Sequence, residues 1–307
     1  MALNTGPASI APTGNRPWAS AALATPFQAP GTVDWTSLTR HAGDLLERGL
    51  TSVAVFGTTG EGASISRAER DPLFDRFGAA GIDPARVVEC VYGLAAGDAA
   101  ASARKALRAG AAAVLVPPPF FFKQPSDDGL FAWYGRMFDA MGGDARDVLL
   151  YNIPSLTGVA ISVDLVARLR SAFPQVVLGI KDSSGDWPYA QRLLAEHADL
   201  TILLGFEDLL TKAVAIGGSG AISGLANIVP EMITGLVSGR ADARIDDLVA
   251  ALDTLSVVPA IKALVAHERG DGLWRTVEPP LYALNEAAER RLLARYDALL
   301  GPVEAAS

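Results

Sequence analysis

The sequence predicts an α/β fold, a parallel (β/α)8 TIM barrel with a C-terminal helical extension. Eight short apolar runs recur along the chain, and segments with helical periodicity separate most of them. The runs are continuously apolar rather than alternating, as expected for parallel strands that helices cover from outside. The length of 307 residues also suits a barrel, for which about 250 residues are typical.

Each predicted strand runs into Gly, Pro, Asn or Asp, residues that favour turns. In chain order the runs are SAALATPF, TSVAVFGTTG, RVVECVYG, AAAVLVPPP, DVLLYNIP, VVLGIKD, LTILLGF and GAISGLAN. Eight strand–helix alternations fit a closed barrel better than an open, doubly wound sheet.

Several segments between the strands carry helix signals. One predicted helix is WTSLTRHAGDLLERG, in which three leucines and Ala42 share one face and Gly49 marks the end. We expect His41 to lie on a solvated face of this helix. SRAERDPLFDRFGAAG opens with Ser66 and Glu69 in capping-box spacing. DAAASARKALRAG and SVDLVARLRSAF are further amphipathic helices.

From VPEMITGLVSGR onward the strand-like runs stop, and the remaining residues have only helical patterns. We therefore expect the barrel over residues 18–235 and a helical extension packed on it over residues 236–307. Residues 1–17 are small and contain Pro and Gly, which predicts a flexible tail.

Composition excludes several classes of partner. The net charge is −8 and the basic residues are scattered, so neither nucleic acid nor an anionic membrane is expected as a partner. No run reaches the roughly 18 apolar residues of a membrane span, and the N-terminus lacks the features of a signal peptide. The single cysteine, Cys90, predicts a buried structural thiol and a reducing compartment, which indicates the cytoplasm. Three widely separated histidines make a metal site unexpected.

Lys181 ends the sixth predicted strand, where VVLGIKDSSGD passes from apolar residues into a turn. Catalytic groups of such barrels come from the carboxyl ends of the strands. A lysine among apolar side chains loses hydration of its charged form, and a neutral amine can attack a ketone to form an iminium. The alternative is a lysine paired with Asp182 or another carboxylate at the strand ends.

Two further strand ends suit this chemistry. Tyr151, in YNIPSLTG, is expected at the level of Lys181 one strand away, either to move protons or as a core tyrosine. The loop GTTGEGAS offers backbone amides and the hydroxyls of Thr58 and Thr59 to a substrate carboxylate, or is only a turn. The glycine-rich GGSGAISGLAN lets a ligand approach the backbone closely, so a phosphate site there stays open.

Together, GTTGE, YNIPSLTG and GIKDSSGD resemble the motifs of the dihydrodipicolinate synthase / N-acetylneuraminate lyase family of pyruvate-using, Schiff-base-forming barrels. The resemblance implies that Lys181 forms the imine with pyruvate or another 2-keto acid and that Tyr151 relays protons. It implies that Thr58 and Thr59 hold the carboxylate, with Thr58 also in the relay. It further implies a homotetramer built as a dimer of dimers. The other pocket positions that it implies are Gly205, Ile222 and Ser223.

Two positions depart from the dihydrodipicolinate synthases. Leu156 stands where their pattern has an arginine for the carboxylate of the aldehyde substrate, and Phe122 stands where a relay tyrosine crosses the dimer. PSLTG and GFEDLL look more like the sialic acid lyase and keto-deoxy sugar acid branches. Glu207 and Asp208 are therefore candidate contacts for substrate hydroxyls. The alternative is that both carboxylates lie at the N-terminus of a helix, where the helix dipole stabilises a negative charge.

From the resemblance we expect a pyruvate-dependent class I aldolase or lyase with an aldehyde as its second substrate and no cofactor. It would cleave or condense a 2-keto-3-deoxy sugar acid or a related hydroxy-keto acid. The alternatives are a 4-hydroxy-tetrahydrodipicolinate synthase, a dehydratase acting on a 2-keto-3-deoxy acid, and a non-catalytic barrel that binds a keto acid.

Overall fold

The computed structural model describes residues 17–29 and 31–301. Eight parallel strands follow one another around a closed barrel, and the first strand pairs with both the second and the eighth. The barrel strands β1 to β8 are Trp18–Ala22, Ser52–Val55, Val87–Cys90, Ala113–Val116, Val148–Asn152, Val177–Asp182, Thr201–Leu204 and Gly220–Ser223. The predicted (β/α)8 fold is confirmed, and each predicted run overlaps one barrel strand. The predicted tail over residues 1–17 lies outside the described residues, apart from Pro17.

Helices surround the barrel and continue beyond it. Helices α1 to α10 are Trp35–Glu47, Arg67–Arg70, Leu73–Ala79, Ala96–Arg108, Asp127–Met141, Pro154–Thr157, Val163–Ala172, Trp187–Glu196, Leu210–Ala215 and Pro230–Val237. The C-terminal helices α11 to α13 are Arg244–Leu252, Val257–Arg269 and Glu286–Leu300. Short 3-10 turns are Pro84–Arg86, Gly142–Asp144, Leu225–Asn227 and Gly272–Arg275, and a small antiparallel pair joins Phe27–Ala29 to Thr32–Val33.

Helix α1 follows the predicted pattern at both ends. The Asp34 carboxylate accepts hydrogen bonds from two N–H groups of the first turn, at 3.1 and 3.2 Å, and Gly49 follows the helix with φ +102°. The expectation that His41 is solvated was wrong, because this side chain is only 1% exposed. Its Nδ1 accepts a hydrogen bond from Arg269, and its Nε2 lies 3.2 Å from the Asn227 Oδ1. Residues distant in sequence therefore supply polar partners to both nitrogens of this buried ring.

The segment after the second strand forms two helices instead of one. Ser66 caps α2, and its hydroxyl accepts from the Glu69 N–H at 3.3 Å. The Glu69 carboxylate accepts from the Val33 N–H instead of closing a capping box. The helix then stops before Pro72, because proline cannot supply the N–H that a continuing helix needs.

The core has two layers, as expected for strands that face both the barrel interior and the helices. Side chains inside the barrel include Ala54, Val88, Leu115, Leu149 and Leu203, and a larger layer fills the space between strands and helices. Cys90 also points inward and is fully buried, and this burial raises the pKa of its thiol to about 12. A thiol with so high a pKa fits the structural role expected from the sequence.

The C-terminal extension packs on the barrel through α12, whose residues from Val258 to Ala266 are all buried. Helix α10 spans the expected boundary between residues 235 and 236, and that division stays a prediction. Within residues 17–29 and 31–301, no helix has the length and hydropathy needed to cross a membrane.

Candidate active site

Lys181 lies on β6, with its side chain inside the mouth of the barrel. It is only 5% exposed and lines a cavity of about 260 Å³, which we call the lysine cavity. Tyr151 is its register partner on β5, as predicted from the two strand ends. The Lys181 Nζ lies 3.4 Å from the Tyr151 Oη and 4.6 Å from the centroid of the ring. The amine is therefore sheltered from bulk water and has a phenol within reach.

Asp182 points away from Lys181, because successive side chains of a strand face opposite sides. Its carboxylate accepts from the Asn152 amide at 3.0 Å and from the N–H and hydroxyl of Ser184. Burial raises the pKa of Asp182, and these hydrogen bonds act in the opposite direction. The structure thus contradicts the alternative in which Lys181 pairs with Asp182.

Gly205 follows β7 and leaves room beside the lysine. A Cβ atom at this position would lie 2.3 Å from the Ser183 Oγ and 3.3 Å from the Lys181 Cε. A larger residue would therefore push against the groups that line the lysine cavity. Gly205 and Ile222 both line this cavity, where the resemblance had placed them.

The loop after β2 carries Thr58 and Thr59, and both residues line the lysine cavity. The Thr58 Oγ1 lies 3.0 Å from the Tyr151 Oη, so a chain of polar groups runs from threonine through phenol to the amine. The loop turns tightly, because Phe56 has φ +58° and a Cβ at Gly62 would lie 1.9 Å from the Phe56 carbonyl oxygen. This tight packing fixes the two threonines at the rim.

A buried ion pair anchors the same loop to the C-terminal extension. The Lys262 Nζ donates to the Glu61 Oε1 at 2.5 Å, and neither side chain is exposed. The second Glu61 oxygen accepts from the Glu278 N–H at 2.6 Å. Sequence analysis missed Lys262, although a lysine within the apolar segment PAIKALVA was an available signal.

The two acidic candidates after β7 differ in position. Glu207 lines the lysine cavity, and its Oε1 accepts from the Ser223 hydroxyl at 2.5 Å and from the Leu225 N–H at 3.4 Å. Burial raises the pKa of Glu207. Asp208 is exposed and is absent from the residues lining the cavity, so the structure does not bring it to Lys181. Ser223, which the resemblance had placed in the pocket, is absent from the residues lining the lysine cavity and contacts Glu207, which lines it.

The two positions that depart from the family pattern lie at the outside of the site. Leu156 is on the short helix α6, is 63% exposed and lines the cavity mouth. Phe122 is 79% exposed and lies outside the lining of the lysine cavity in this chain. Neither position offers a polar side chain to a substrate.

Tyr92 is a further residue that sequence analysis missed. It follows β3 and lines a second cavity of about 430 Å³, which we call the distal cavity, together with Thr58 and Tyr151. Burial raises the pKa of the Tyr92 phenol above its usual value. Its position two residues after the inward-facing Cys90 was the available signal, because alternate residues of a strand share a face.

The histidines are engaged in separate contacts. His197 lies beside the Val163 carbonyl, and His267 lies 2.8 Å from the Asp297 carboxylate. Within the part of the chain that the structure describes, no group of three or more His, Cys, Asp or Glu side chains is arranged to hold a metal ion.

Comparisons with known proteins agree with the resemblance of the motifs. The family model described as the dihydrodipicolinate synthetase family matches residues 18–269. A protein of Chloroflexus aurantiacus named an uncharacterized DapA-like lyase is 32% identical over 288 residues, which is 91% of this chain and 95% of the relative. The 4-hydroxy-tetrahydrodipicolinate synthase of Methanosarcina acetivorans is 32% identical over 248 residues, which is 79% of this chain and 81% of the relative.

Solved structures give the same result. The crystal structure of dihydrodipicolinate synthase from Agrobacterium tumefaciens str. C58 has a TM-score of 0.90 and 48% identity, and the match covers 92% of this chain and 98% of that one. The structure of YagE, a prophage protein of the dihydrodipicolinic acid synthase family from E. coli K12 in complex with pyruvate, has a TM-score of 0.81. At 24% identity, with 92% of this chain and 98% of that chain covered, YagE shows the shared fold.

Proposed function

Because the chain belongs to the dihydrodipicolinate synthetase family, a family of lyases, we propose that it is a pyruvate-dependent class I aldolase. Its working amine is Lys181, and its substrate is a 4-hydroxy-2-keto acid, a class that includes the 2-keto-3-deoxy sugar acids. The observation that carries the proposal is the sheltered Lys181 Nζ, 3.4 Å from the Tyr151 Oη.

In this mechanism the substrate carboxylate binds at Thr58 and Thr59, and the C2 carbonyl faces Lys181. The neutral amine adds to C2, Tyr151 protonates the departing hydroxyl, and water leaves as the iminium forms. The chain of hydroxyls from Thr58 to Tyr151 supports the proton transfers, because its members lie within hydrogen-bond reach of each other.

Cleavage then breaks the bond between C3 and C4. The C4 hydroxyl gives its proton to the Tyr151–Thr58 pair while the bonding electrons move into the iminium, which becomes an enamine. The aldehyde leaves, the enamine takes a proton at C3, and water hydrolyses the new iminium to pyruvate and free Lys181. Condensation runs through the same steps in reverse.

Borohydride reduction in the presence of pyruvate tests the proposal. Reduction of the imine would attach a pyruvyl group irreversibly, and peptide mass mapping would locate it on the Lys181 peptide. The same treatment without pyruvate is the control and should leave the protein unmodified and active. An adduct on another lysine, or no adduct at all, would overturn the proposal.

A second candidate is a 4-hydroxy-tetrahydrodipicolinate synthase, which condenses pyruvate with aspartate semialdehyde. The names of several relatives favour it, including the Methanosarcina acetivorans protein at 32% identity. Leu156 and Phe122 weigh against it, because neither side chain can bind a carboxylate or relay a proton. Turnover of aspartate semialdehyde with pyruvate and none of other aldehydes would reverse the ranking.

The assembly and location of the protein are further parts of the proposal. We propose a homotetramer built as a dimer of dimers, and the exposed aromatic rings of Phe121 and Phe122 support a contact with a second copy. Light scattering of the purified protein would test the tetramer. The single buried cysteine fits a reducing compartment, and we propose the cytoplasm.

A further inference from the structure

The turn from Thr58 to Glu61, which we call the carboxylate turn, carries the two threonines that hold the substrate carboxylate in the proposed mechanism. The Glu61 N–H donates to the Thr58 carbonyl at 3.0 Å, so a backbone hydrogen bond joins the two ends of the turn. Glu61 has φ +56°, in the left-handed region that a residue with a Cβ atom seldom adopts. Because glycine would fit this conformation more readily, a glutamate here indicates a role for its side chain.

The Glu61 side chain is fully buried and is bonded at both carboxylate oxygens. The Lys262 ammonium donates to Oε1 at 2.5 Å, and the Glu278 N–H donates to Oε2 at 2.6 Å. Both partners belong to the C-terminal extension, since Lys262 lies on α12 and Glu278 lies between the last 3-10 turn and α13. These bonds restrain the side chain and help to hold the backbone of Glu61 in its unfavourable conformation.

The two partners of Glu61 are themselves held in place. The Lys262 Nζ lies 4.3 Å from the centroid of the Phe27 ring, and the Glu278 Oε1 accepts from the Gly31 N–H at 2.6 Å. Lys262 also lies within the fully buried stretch of α12, so its side chain has little freedom to follow a displaced turn. The C-terminal extension is therefore a rigid support for the carboxylate turn.

Helix α12 also lines the lysine cavity, through Val257 and Ile261. Ile261 and Thr59 flank the same point, because a Cβ atom on Gly224 would lie 3.6 Å from the Ile261 Cγ1 and 3.7 Å from the Thr59 Oγ1. The helix that carries Lys262 thus reaches both the carboxylate turn and the wall of the cavity. A change in their separation would alter how Thr59 faces the cavity.

We propose that Lys262 is a positioning residue for the substrate carboxylate, because through Glu61 it holds the two threonines of the carboxylate turn toward Lys181. This inference rests on the proposed aldolase function and adds a residue of the C-terminal extension to carboxylate recognition. Lys262 itself does not touch the substrate, since its ammonium is fully buried against Glu61. Its effect falls on the discrimination between ketones with and without a carboxylate, because only the former use the carboxylate contacts of the turn.

The test compares the trapping of two ketones by the full-length protein: pyruvate, and acetone, which has a methyl group in place of the carboxylate. Cyanoborohydride reduces the imine, and mass spectrometry follows modification of Lys181 over a range of ketone concentrations to give a trapping efficiency. The wild type should favour pyruvate. In Lys262→Met the ratio of efficiencies, pyruvate over acetone, should fall at least about tenfold, because small displacements of binding groups have effects of this size. A ratio equal to that of the wild type would overturn the inference.

Two further variants separate positioning from a general loss of stability. Leu292→Ala truncates a buried side chain of α13 outside the lysine cavity, and should lower the free energy of unfolding but keep the wild-type ratio. Glu61→Leu/Lys262→Met leaves no uncompensated charge, so it should regain part of the stability lost in Lys262→Met while its ratio stays low. A lowered ratio in Leu292→Ala, or a wild-type ratio in the double variant, would overturn the inference.

Near-ultraviolet circular dichroism checks that each variant is folded, and the double variant carries the comparison if Lys262→Met does not fold. The control Lys212→Met makes the same substitution at an exposed residue outside the lysine cavity and should keep the wild-type ratio. A lowered ratio there would contradict the inference, because loss of any positive charge would then suffice. No pyruvate adduct on Lys181 of the wild type would overturn the aldolase function itself. A wild-type adduct with unchanged ratios in the Lys262 variants would overturn only the positioning role.

Discussion

Tyr151 and Lys181 are register partners on adjacent strands, and the phenol oxygen of one lies 3.4 Å from the amine of the other. Because a parallel barrel points partner residues of neighbouring strands to the same side, this proximity follows from the register of β5 and β6. The backbone thus holds these two side chains together without depending on a loop.

Tyr151→Phe should lower kcat by about 10²–10⁴-fold, the usual contribution of a positioned acid or base. The phenyl ring keeps the packing of the buried tyrosine, so the free energy of unfolding should change little by comparison. Steady-state kinetics and urea denaturation measure the two effects. A variant that keeps wild-type kcat would show that another group moves the protons.

Gly205→Ala should impair imine formation, because the new Cβ would lie 2.3 Å from the Ser183 Oγ and 3.3 Å from the Lys181 Cε. We expect the rate of borohydride trapping with pyruvate to fall at least about tenfold, as for small displacements of reacting groups. The double variant Gly205→Ala/Ser183→Ala removes the nearer clash and should recover part of the rate. Equal rates in the single and double variants would contradict this explanation.

Lys262→Met should lower the free energy of unfolding by about 3–5 kcal/mol, because it leaves the Glu61 carboxylate buried without its partner. Replacing both residues in Glu61→Leu/Lys262→Met should recover part of that loss, since no uncompensated charge remains. Urea denaturation at fixed protein concentration gives the comparison. A single variant as stable as the wild type would show that the pair does not anchor the loop of Thr58 and Thr59.

His41 predicts an acid dependence of stability. Burial, assisted by the nearby Arg269 guanidinium, lowers the pKa of His41 from 6.5 to about 3. Between these pH values the unfolded chain binds a proton that the native state does not, so the free energy of unfolding falls as the pH falls. The maximum slope from this residue is about 1.4 kcal/mol per pH unit.

The variant His41→Gln isolates this effect, because glutamine offers a donor and an acceptor but does not titrate. Between pH 7.5 and pH 5.5 the wild type should lose about 1.4 kcal/mol more stability than the variant, by the linkage relation. Urea unfolding at the two pH values measures the difference. Equal losses of stability in the wild type and the variant would show that His41 binds its proton as readily in the native state as in the unfolded chain.

The barrel and the main site could be predicted because their signals are local in the sequence. Each apolar run ends at a turn, and parallel strands bring such ends to one rim, which placed Lys181, Tyr151 and the Thr58–Thr59 loop together. The direction of a side chain that follows a strand depends less on the neighbouring sequence. Glu207 enters the lysine cavity whereas its neighbour Asp208 is exposed, because the path of the loop decides each direction.

Contacts between distant segments could not be predicted in the same way. Lys262 is 201 residues from its partner Glu61, and His41 is 186 residues from Asn227 and 228 from Arg269. A helical pattern assigns a polar residue to the solvent side unless its partner is known. Sequence analysis therefore left His41 on a solvated face and overlooked Lys262.

Hydrogen exchange at the methyl group of pyruvate tests the central claim most directly, since an enamine on Lys181 takes its C3 proton from solvent. In D₂O the wild-type protein should remove the methyl proton signal of pyruvate in an NMR time course without any aldehyde present. Lys181→Ala should reduce the exchange to the rate of buffer alone, and Tyr151→Phe should slow it. Absence of exchange with the wild type, or undiminished exchange with Lys181→Ala, would contradict the account.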